Sequence, residues 1–147
     1  MSIKFRGYQG IFFDEKTSKL LERMQRTPLA DTVRNMHVTF KYGDLEKFPS
    51  ELMNLDVEIC LVGYASDGKN SGFIVELPRE MEEKFYKGNR PIHVTVSLGA
   101  VNGEKGKAVD TANLNFKPLK NPVTVTGKLG YFVFGCGKKM DNSFWND

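Results

Sequence analysis

Both histidines of the chain lie in the same short pattern, which occurs twice. The two copies are residues 36–40 (MHVTF) and residues 92–96 (IHVTV). In each copy, apolar residues alternate with a histidine and a threonine, and this alternation is the period of a strand with one face in a core. The sequence therefore predicts two strands, each of which carries an imidazole and a hydroxyl on the face opposite the core.

This pairing of residue types suits the cleavage of a phosphodiester. Two imidazoles on opposite sides of the ester can act as general base and general acid, because histidine titrates near neutral pH. If the two halves of the chain pack around a pseudo-twofold axis, His37 and His93 converge on one cleft. Thr39 and Thr95 then offer hydroxyls that can donate to a non-bridging phosphoryl oxygen as charge develops. We expect no metal or other cofactor, because the sequence offers no cluster of metal-ligating residues.

The alternative interpretation is that these are ordinary residues on the wet face of a sheet. One such motif on its own often matches by accident. Two copies that use every histidine of the chain favour a catalytic pair instead.

Length and composition favour a single domain over residues 1–147. A hydrophobic fraction of 40% and a charged fraction of 27% are typical of soluble globular proteins. The net charge of +3 is spread along the chain, so it predicts no long nucleic-acid footprint but is compatible with a small anionic substrate. The two isolated cysteines favour a reducing compartment. Because no apolar leader or membrane-spanning stretch is visible, we expect a cytoplasmic protein without a membrane partner.

The order of the predicted elements repeats in two halves, about residues 1–66 and 67–147. Each half runs strand, helix, His–Thr strand and further strand, which predicts an α+β fold with antiparallel pairing. The other elements used below are helices over residues 15–26 and 78–86, and a final hairpin of strands 123–128 and 131–136 around residues 129–130.

The two motifs resemble the signature of the two-histidine (2H) phosphoesterase superfamily, in which each half carries hydrophobic–His–x–Thr/Ser–hydrophobic. Residues 37–43 (HVTFKYG) also resemble the first motif of its RNA-ligase-like members. The resemblance implies a bilobal, pseudo-twofold α+β fold, with two antiparallel sheets around a central cleft and helices on the outside. It implies metal-independent cleavage of phosphodiesters, often the 2′,3′-cyclic phosphate of a nucleotide or an RNA end. His37 and His93 would be the acid/base residues, and Thr39 and Thr95 would bind the phosphate, without indicating which histidine is the base.

Two aromatic residues extend this resemblance to the compact phage anti-CBASS phosphodiesterases, which degrade cyclic oligonucleotide signals. In that case Tyr8 on the first strand would stack on a base, and Trp145 near the C-terminus would form part of a lid, because aromatic faces bind bases with little sequence choice. The alternative is that Tyr8 is an ordinary strand residue and Trp145 a stray aromatic of the tail.

Three further residues are candidates for substrate binding. Lys41 shares the face of the first motif and Ser97 is its equivalent in the second, so each is either a phosphate contact or an ordinary strand residue. Tyr131 is a candidate wall of a base pocket, although aromatic strand residues are more often core. Phe132 and Phe134, on the opposite face of that strand, are not assigned to the site.

These residues are also compatible with another class of protein, namely a non-catalytic module that binds a nucleotide or RNA end. The two intact His and Thr pairs favour an enzyme, and so does the lack of a basic stripe with interleaved aromatics. The sequence leaves open which phosphodiester is the substrate, which ester bond is cleaved and the oligomeric state.

Overall fold

The computed structural model describes residues 4–88 and 91–145 of the chain. The strands are β1 (Arg6–Phe12), β2 (Asp31–Thr32), β3 (His37–Asp44), β4 (Val57–Ser66), β5 (Asn70–Glu76), β6 (His93–Leu98), β7 (Ala100–Val101), β8 (Glu104–Lys105), β9 (Lys117–Val133) and β10 (Gly137–Lys139). The helices are α1 (Glu15–Met24) and α2 (Arg79–Phe85), and 3₁₀ segments cover Ser50–Leu52, Ala108–Asn113 and Ser143–Trp145. The fold is α+β with antiparallel strands, which confirms that part of the prediction. Within the described residues, no helix is long and apolar enough to cross a membrane.

Six of the strands form one sheet that closes on itself. The order is β1-β3-β6-β5-β4-β9, and β9 pairs back to β1. The predicted pair of separate sheets around a central cleft is therefore wrong. The physical reason is β9, whose first part pairs with β4 and whose last part pairs with β1, so that a single strand joins the two halves.

The predicted final hairpin around residues 129–130 is also wrong, because β9 runs through this point without turning. Leu129 is fully buried in the core, and Gly130 stands opposite Gly10 of β1. A Cβ at Gly130 would lie only 2.6 Å from the Met140 sulfur and 2.9 Å from the Phe12 ring. The glycine therefore serves close packing within a strand, and not a turn.

The two halves use the same local pairing to present the His–Thr strands. In each half, the strand that carries the motif has one extra residue, Phe40 in β3 and Val96 in β6, and the register of the partner strand shifts there, at Gln9/Gly10 in β1 and at Ser71/Gly72 in β5. Phe12 pairs with His37 and Ile74 with His93, while the glycine after each shift pairs with the motif threonine, Gly10 with Thr39 and Gly72 with Thr95. The predicted halves, about 1–66 and 67–147, each contain one such pair of strands.

Only glycine fits at the two register shifts. A Cβ at Gly10 would lie 1.9 Å from the Val38 carbonyl oxygen, and a Cβ at Gly72 would lie 2.4 Å from the Val94 carbonyl oxygen. These distances are well inside van der Waals contact, so each strand can approach its motif strand only because the side chain is missing.

The core lies on the inner face of the sheet and receives the apolar residues of both motifs. Val38, Phe40, Val94 and Val96 are buried to 1% exposure or less. The alternation within each motif thus directs the histidine to the outer face, as predicted. Asp14 begins α1 by accepting a hydrogen bond from the Thr17 amide at 2.7 Å.

The C-terminal segment covers one end of this core. The Tyr131 side chain is fully buried, and its hydroxyl donates to Asn142 Oδ1 at 2.6 Å and accepts from the Phe48 amide at 2.8 Å. Trp145 packs edge-on against Phe5 and Tyr131, at ring centroid distances of 5.4 and 5.9 Å. These contacts make the segment part of the packed structure.

We expect Tyr131→Phe to lower the free energy of unfolding by about 1–3 kcal/mol, because the Phe48 amide would stay buried without its partner. Equilibrium unfolding in urea measures this loss. Tyr42→Phe is the matched control, since the Tyr42 side chain is 69% exposed and its hydroxyl can reach water in either state. Equal losses for the two variants would contradict the role of the Tyr131 hydroxyl.

Candidate active site

A pocket of about 890 Å³ lies on the outer face of the sheet where β3 and β6 meet. It brings together the four predicted catalytic residues, His37, Thr39, His93 and Thr95. The strands pair antiparallel at Val38↔Val94. In an antiparallel pair this register sets His37 across from Thr95 and Thr39 across from His93.

Both imidazoles are held in the same way by the backbone just before their strands. Nδ1 of His37 lies 2.9 Å from the Asn35 carbonyl oxygen, and Nδ1 of His93 lies 3.0 Å from the Pro91 carbonyl oxygen. Because a carbonyl oxygen can only accept, each Nδ1 carries the proton. Nε2 is therefore the nitrogen without a proton in the neutral form of both rings. Asn35 has a φ of 54°, in the left-handed region that Asn tolerates better than most residues.

The ring of Tyr8 lies between two other rings and stacks on His37. Its centroid is 4.4 Å from that of His37 on one side, and 5.1 Å from that of Phe132 on the other. β1 runs between β3 and β9, which is why the two neighbours flank Tyr8. The predicted role of Tyr8 as a base-stacking residue is corrected accordingly. Tyr8 lines the pocket, but its faces are taken by His37 and Phe132.

The surroundings of His37 favour its neutral form. Burial is the largest effect on the pKa of His37 and lowers it from 6.5, the ordinary value. The charge of His93 lowers the pKa further, which means that the two imidazoles are within electrostatic reach of one another. The hydrogen bond to the Asn35 carbonyl acts in the opposite direction and is a smaller effect than burial. His37 is therefore neutral at pH 7, with a lone pair on Nε2.

Three cations lie in the pocket wall, namely Lys41, Arg34 and Lys87. Lys41 was predicted, and its ammonium group lies 2.9 Å from Glu46 Oε1. The hydrogen bond from Lys41 is the largest cause of the lowered pKa of Glu46. Arg34 and Lys87 were missed, although a signal existed: each precedes a His–Thr strand in the sequence by a few residues. Together these charges suit an anionic ligand.

Aromatic residues at the pocket were also missed by sequence reasoning. Tyr42 lines the pocket with a 69% exposed side chain, and its ring contacts that of Phe134, which is 45% exposed, at 5.6 Å. The alternation of side chains along β9 is the signal that could have identified Phe132 and Phe134. Tyr131 and Val133 point into the core, so Phe132 and Phe134 must point to the outer face.

Three predicted substrate-binding residues, Ser97, Tyr131 and Trp145, do not line the pocket. Ser97 is fully buried because β2 pairs with β6 at this position, and its Oγ accepts from the Leu29 amide at 3.1 Å. Tyr131 and Trp145 are held in the core contacts described above. The structure therefore corrects the placement of all three at the site.

The two motif threonines differ in their surroundings. Thr95 is only 7% exposed, and its Oγ1 lies 2.8 Å from Thr111 Oγ1 and 3.1 Å from the Ala108 carbonyl oxygen. Thr39 is partly buried, and within residues 4–88 and 91–145 its hydroxyl has no comparable partner. Thr39 is therefore free to turn toward a ligand, whereas Thr95 is held by its neighbours.

Among the described residues, no group of three or more His, Cys, Asp or Glu side chains is arranged to hold a metal ion. No family model matches the chain, and no curated protein or solved structure matches it significantly.

We expect Tyr8→Ala to raise the pKa of His37 toward its ordinary value, because removal of the ring lets water reach the imidazole and stabilise its charged form. Tyr8→Phe keeps the stacked ring and should keep the lowered pKa. A titration of the imidazole nitrogens by NMR measures both variants. An unchanged pKa in Tyr8→Ala would mean that other groups desolvate His37.

Proposed function

We propose that this chain is a metal-independent phosphodiesterase of the 2H type, which hydrolyses the 2′,3′-cyclic phosphate of a nucleotide or RNA end. The observation that carries the proposal is the meeting of His37 and His93 in one pocket, with both Nδ1 atoms bound to backbone carbonyls. With Nδ1 protonated in both rings, Nε2 is the nitrogen of each imidazole that exchanges a proton in an acid/base reaction. The same register shift in each motif strand, opposite a glycine of its partner, supports a relation to the pseudo-twofold 2H fold. A nucleotide substrate fits the expected cytoplasmic location.

In the proposed mechanism His37 is the general base, because its lowered pKa keeps it neutral. Its Nε2 takes a proton from a water molecule as the water oxygen attacks phosphorus. The bond from phosphorus to one ribose oxygen breaks, and His93 in its protonated form donates the Nε2 proton to that oxygen. The products are a phosphomonoester and a free ribose hydroxyl, and proton exchange with water restores both imidazoles.

The charge that develops on the phosphoryl oxygens is stabilised by hydroxyls and cations of the pocket. Thr39 and Thr95 donate to non-bridging oxygens, each across from the histidine of the other motif. Lys41, Arg34 and Lys87 provide positive charge around the phosphate. Such preorganised donors act where charge increases in the transition state, and therefore lower the barrier.

The direct test is hydrolysis of a panel of 2′,3′-cyclic nucleotides, RNA with cyclic-phosphate ends and cyclic dinucleotides, with EDTA present. We expect cleavage by the unaltered protein. His37→Ala and His93→Ala should each lower kcat by about 10²–10⁴-fold, the usual contribution of a general acid or base. Thr39→Ala and Thr95→Ala should each cost about 10²–10³-fold, as for one transition-state donor.

Thr124→Ala is the control for these variants, because Thr124 is exposed on β9 and does not line the pocket. Full activity in a His37→Ala/His93→Ala double variant would overturn the mechanism. Cleavage of no compound by the unaltered protein would favour the other class, a module that binds a nucleotide or RNA end without cleaving it.

The exposed aromatic pair of Tyr42 and Phe134 favours a second candidate substrate for the same type of reaction. This candidate is a cyclic di- or trinucleotide immune signal. Tyr42 and Phe134 are exposed beside the pocket, and exposed aromatic faces bind bases. The volume of about 890 Å³ is near the upper end for small-ligand sites, which leaves room for more than one base. These two rings, and not Tyr8, are the surfaces available for stacking.

We expect Tyr42→Ala and Phe134→Ala to raise KM for a cyclic dinucleotide by about 5–100-fold, the range for loss of one base-stacking contact. KM for a 2′,3′-cyclic mononucleotide should change little, because the second base is missing. Leu55→Ala is the control, since Leu55 is 51% exposed but does not line the pocket. Equal changes in KM for both substrates would argue against the cyclic dinucleotide.

A further inference from the structure

A buried polar network lies directly behind Thr95. Asn70, the first residue of β5, is 2% exposed, and Thr111 of the 3₁₀ segment is fully buried. Asn70 Nδ2 lies 2.6 Å from the Lys107 carbonyl oxygen and 2.9 Å from Thr111 Oγ1. Thr111 Oγ1 in turn lies 2.8 Å from Thr95 Oγ1. A continuous path of hydrogen bonds thus leads from β5 to the pocket.

The carbonyl of Lys107 determines the orientation of the Asn70 amide. With the amide reversed, Oδ1 would face this carbonyl at 2.6 Å, and two acceptors would repel one another. Nδ2 must therefore face Lys107 and Thr111, and both of its protons are used. Asn70 is a donor to Thr111 by geometry.

The Thr95 hydroxyl has two acceptors in this network. It donates to Thr111 Oγ1, which also accepts from Asn70, and the Ala108 carbonyl oxygen lies within donating distance at 3.1 Å. Buried hydroxyls are satisfied by such partners. Because Thr95 and Ala108 both line the pocket, the network fixes the Thr95 side chain at the pocket wall.

The first motif has no counterpart to this network among the described residues, although the strand pairing around it is the same. The difference comes from the segment Ala108–Asn113, which packs against β5 and the second motif strand. A Cβ at Gly72 would lie 2.7 Å from the Thr111 methyl group, so the glycine of β5 also leaves the space that Thr111 fills.

We infer that Asn70 and Thr111 are positioning residues, which hold the Thr95 side chain in the rotamer that presents its hydroxyl to a phosphoryl oxygen of the substrate. The inference rests on the proposed function. In the absence of ligand, the Thr95 hydroxyl donates within the network, and a phosphoryl oxygen takes the place of these acceptors when substrate binds. Asn70 also holds the Lys107 carbonyl, and thereby the start of the segment whose Ala108 and Val109 line the pocket.

The kinetic test compares Thr111→Val with Thr111→Ser. Val has the shape of Thr without the hydroxyl, so we expect kcat to fall about tenfold, the factor for one hydrogen bond of ordinary strength, with little change in KM. Ser keeps the hydroxyl and should retain kcat. Asn70→Asp keeps the size of the side chain but loses both donor protons, and should lower kcat in the same way. Ser71→Ala removes a neighbouring, equally buried hydroxyl that bonds to Gln25 and Tyr64 instead, and should leave kcat unchanged.

A double-variant cycle separates positioning from general loss of packing. In a Thr95→Val background the network has no hydroxyl left to orient, so Thr111→Val should cause no further loss of kcat. Equal losses of kcat in Thr111→Val and Ser71→Ala, or fully additive losses of Thr111→Val and Thr95→Val, would overturn the inference.

An NMR measurement tests the network without relying on activity. Three-bond couplings to the Thr95 γ-methyl carbon report its χ1 angle, and we expect a single rotamer in the unaltered protein and in Ser71→Ala. We expect averaged couplings in Thr111→Val and in Asn70→Asp, and an unchanged single rotamer in both would overturn the inference. If the unaltered protein cleaves no compound of the panel, the proposed function fails, and these couplings alone decide whether the network positions Thr95.

Discussion

The backbone pair between Val38 and Val94 is the contact on which the candidate site depends. It is the one residue pair that joins β3 to β6 within the described structure, and both side chains are fully buried. Because strand side chains alternate, burying these two valines turns the residues on either side of each to the outer face. All four motif side chains thereby reach one pocket, and the antiparallel direction sets each histidine across from the other motif's threonine.

Two nearly identical motifs acquire different properties from what packs around them. His37 lies against the rings of Tyr8 and Phe12, and burial lowers its pKa. Thr95 is enclosed by the segment Ala108–Asn113, whereas no element of the described structure covers Thr39 in the same way. For the proposed mechanism, the lowered pKa of His37 provides the neutral imidazole that a general base needs.

The closed sheet explains why the pocket lies outside the core and not between two separate sheets. β9 pairs with β4 and β1 in succession, so the apolar faces of both halves enclose one interior. That interior is filled by residues such as Phe40, Phe73 and Tyr131, each of which is fully buried or within 1% of it. With the interior occupied by side chains, the pocket that holds both motifs lies on the other face of the sheet, where β3 and β6 meet. Tyr131 and Trp145 belong to the packing of the interior, which separates them from the site.

The sequence by itself determined the antiparallel α+β class, the two motif strands and the face on which His37, Thr39, His93 and Thr95 lie. These features follow from local alternation and capping, which depend only on neighbouring residues. Tertiary structure decided that β9 is a single strand, that Ser97 is covered by β2 and that Tyr8 stacks on His37. It also decided that Arg34, Tyr42 and Lys87 join the pocket and that Asn70 and Thr111 lie behind Thr95. Those contacts join residues far apart in the chain, and local periodicity carries no information on which distant segments will meet.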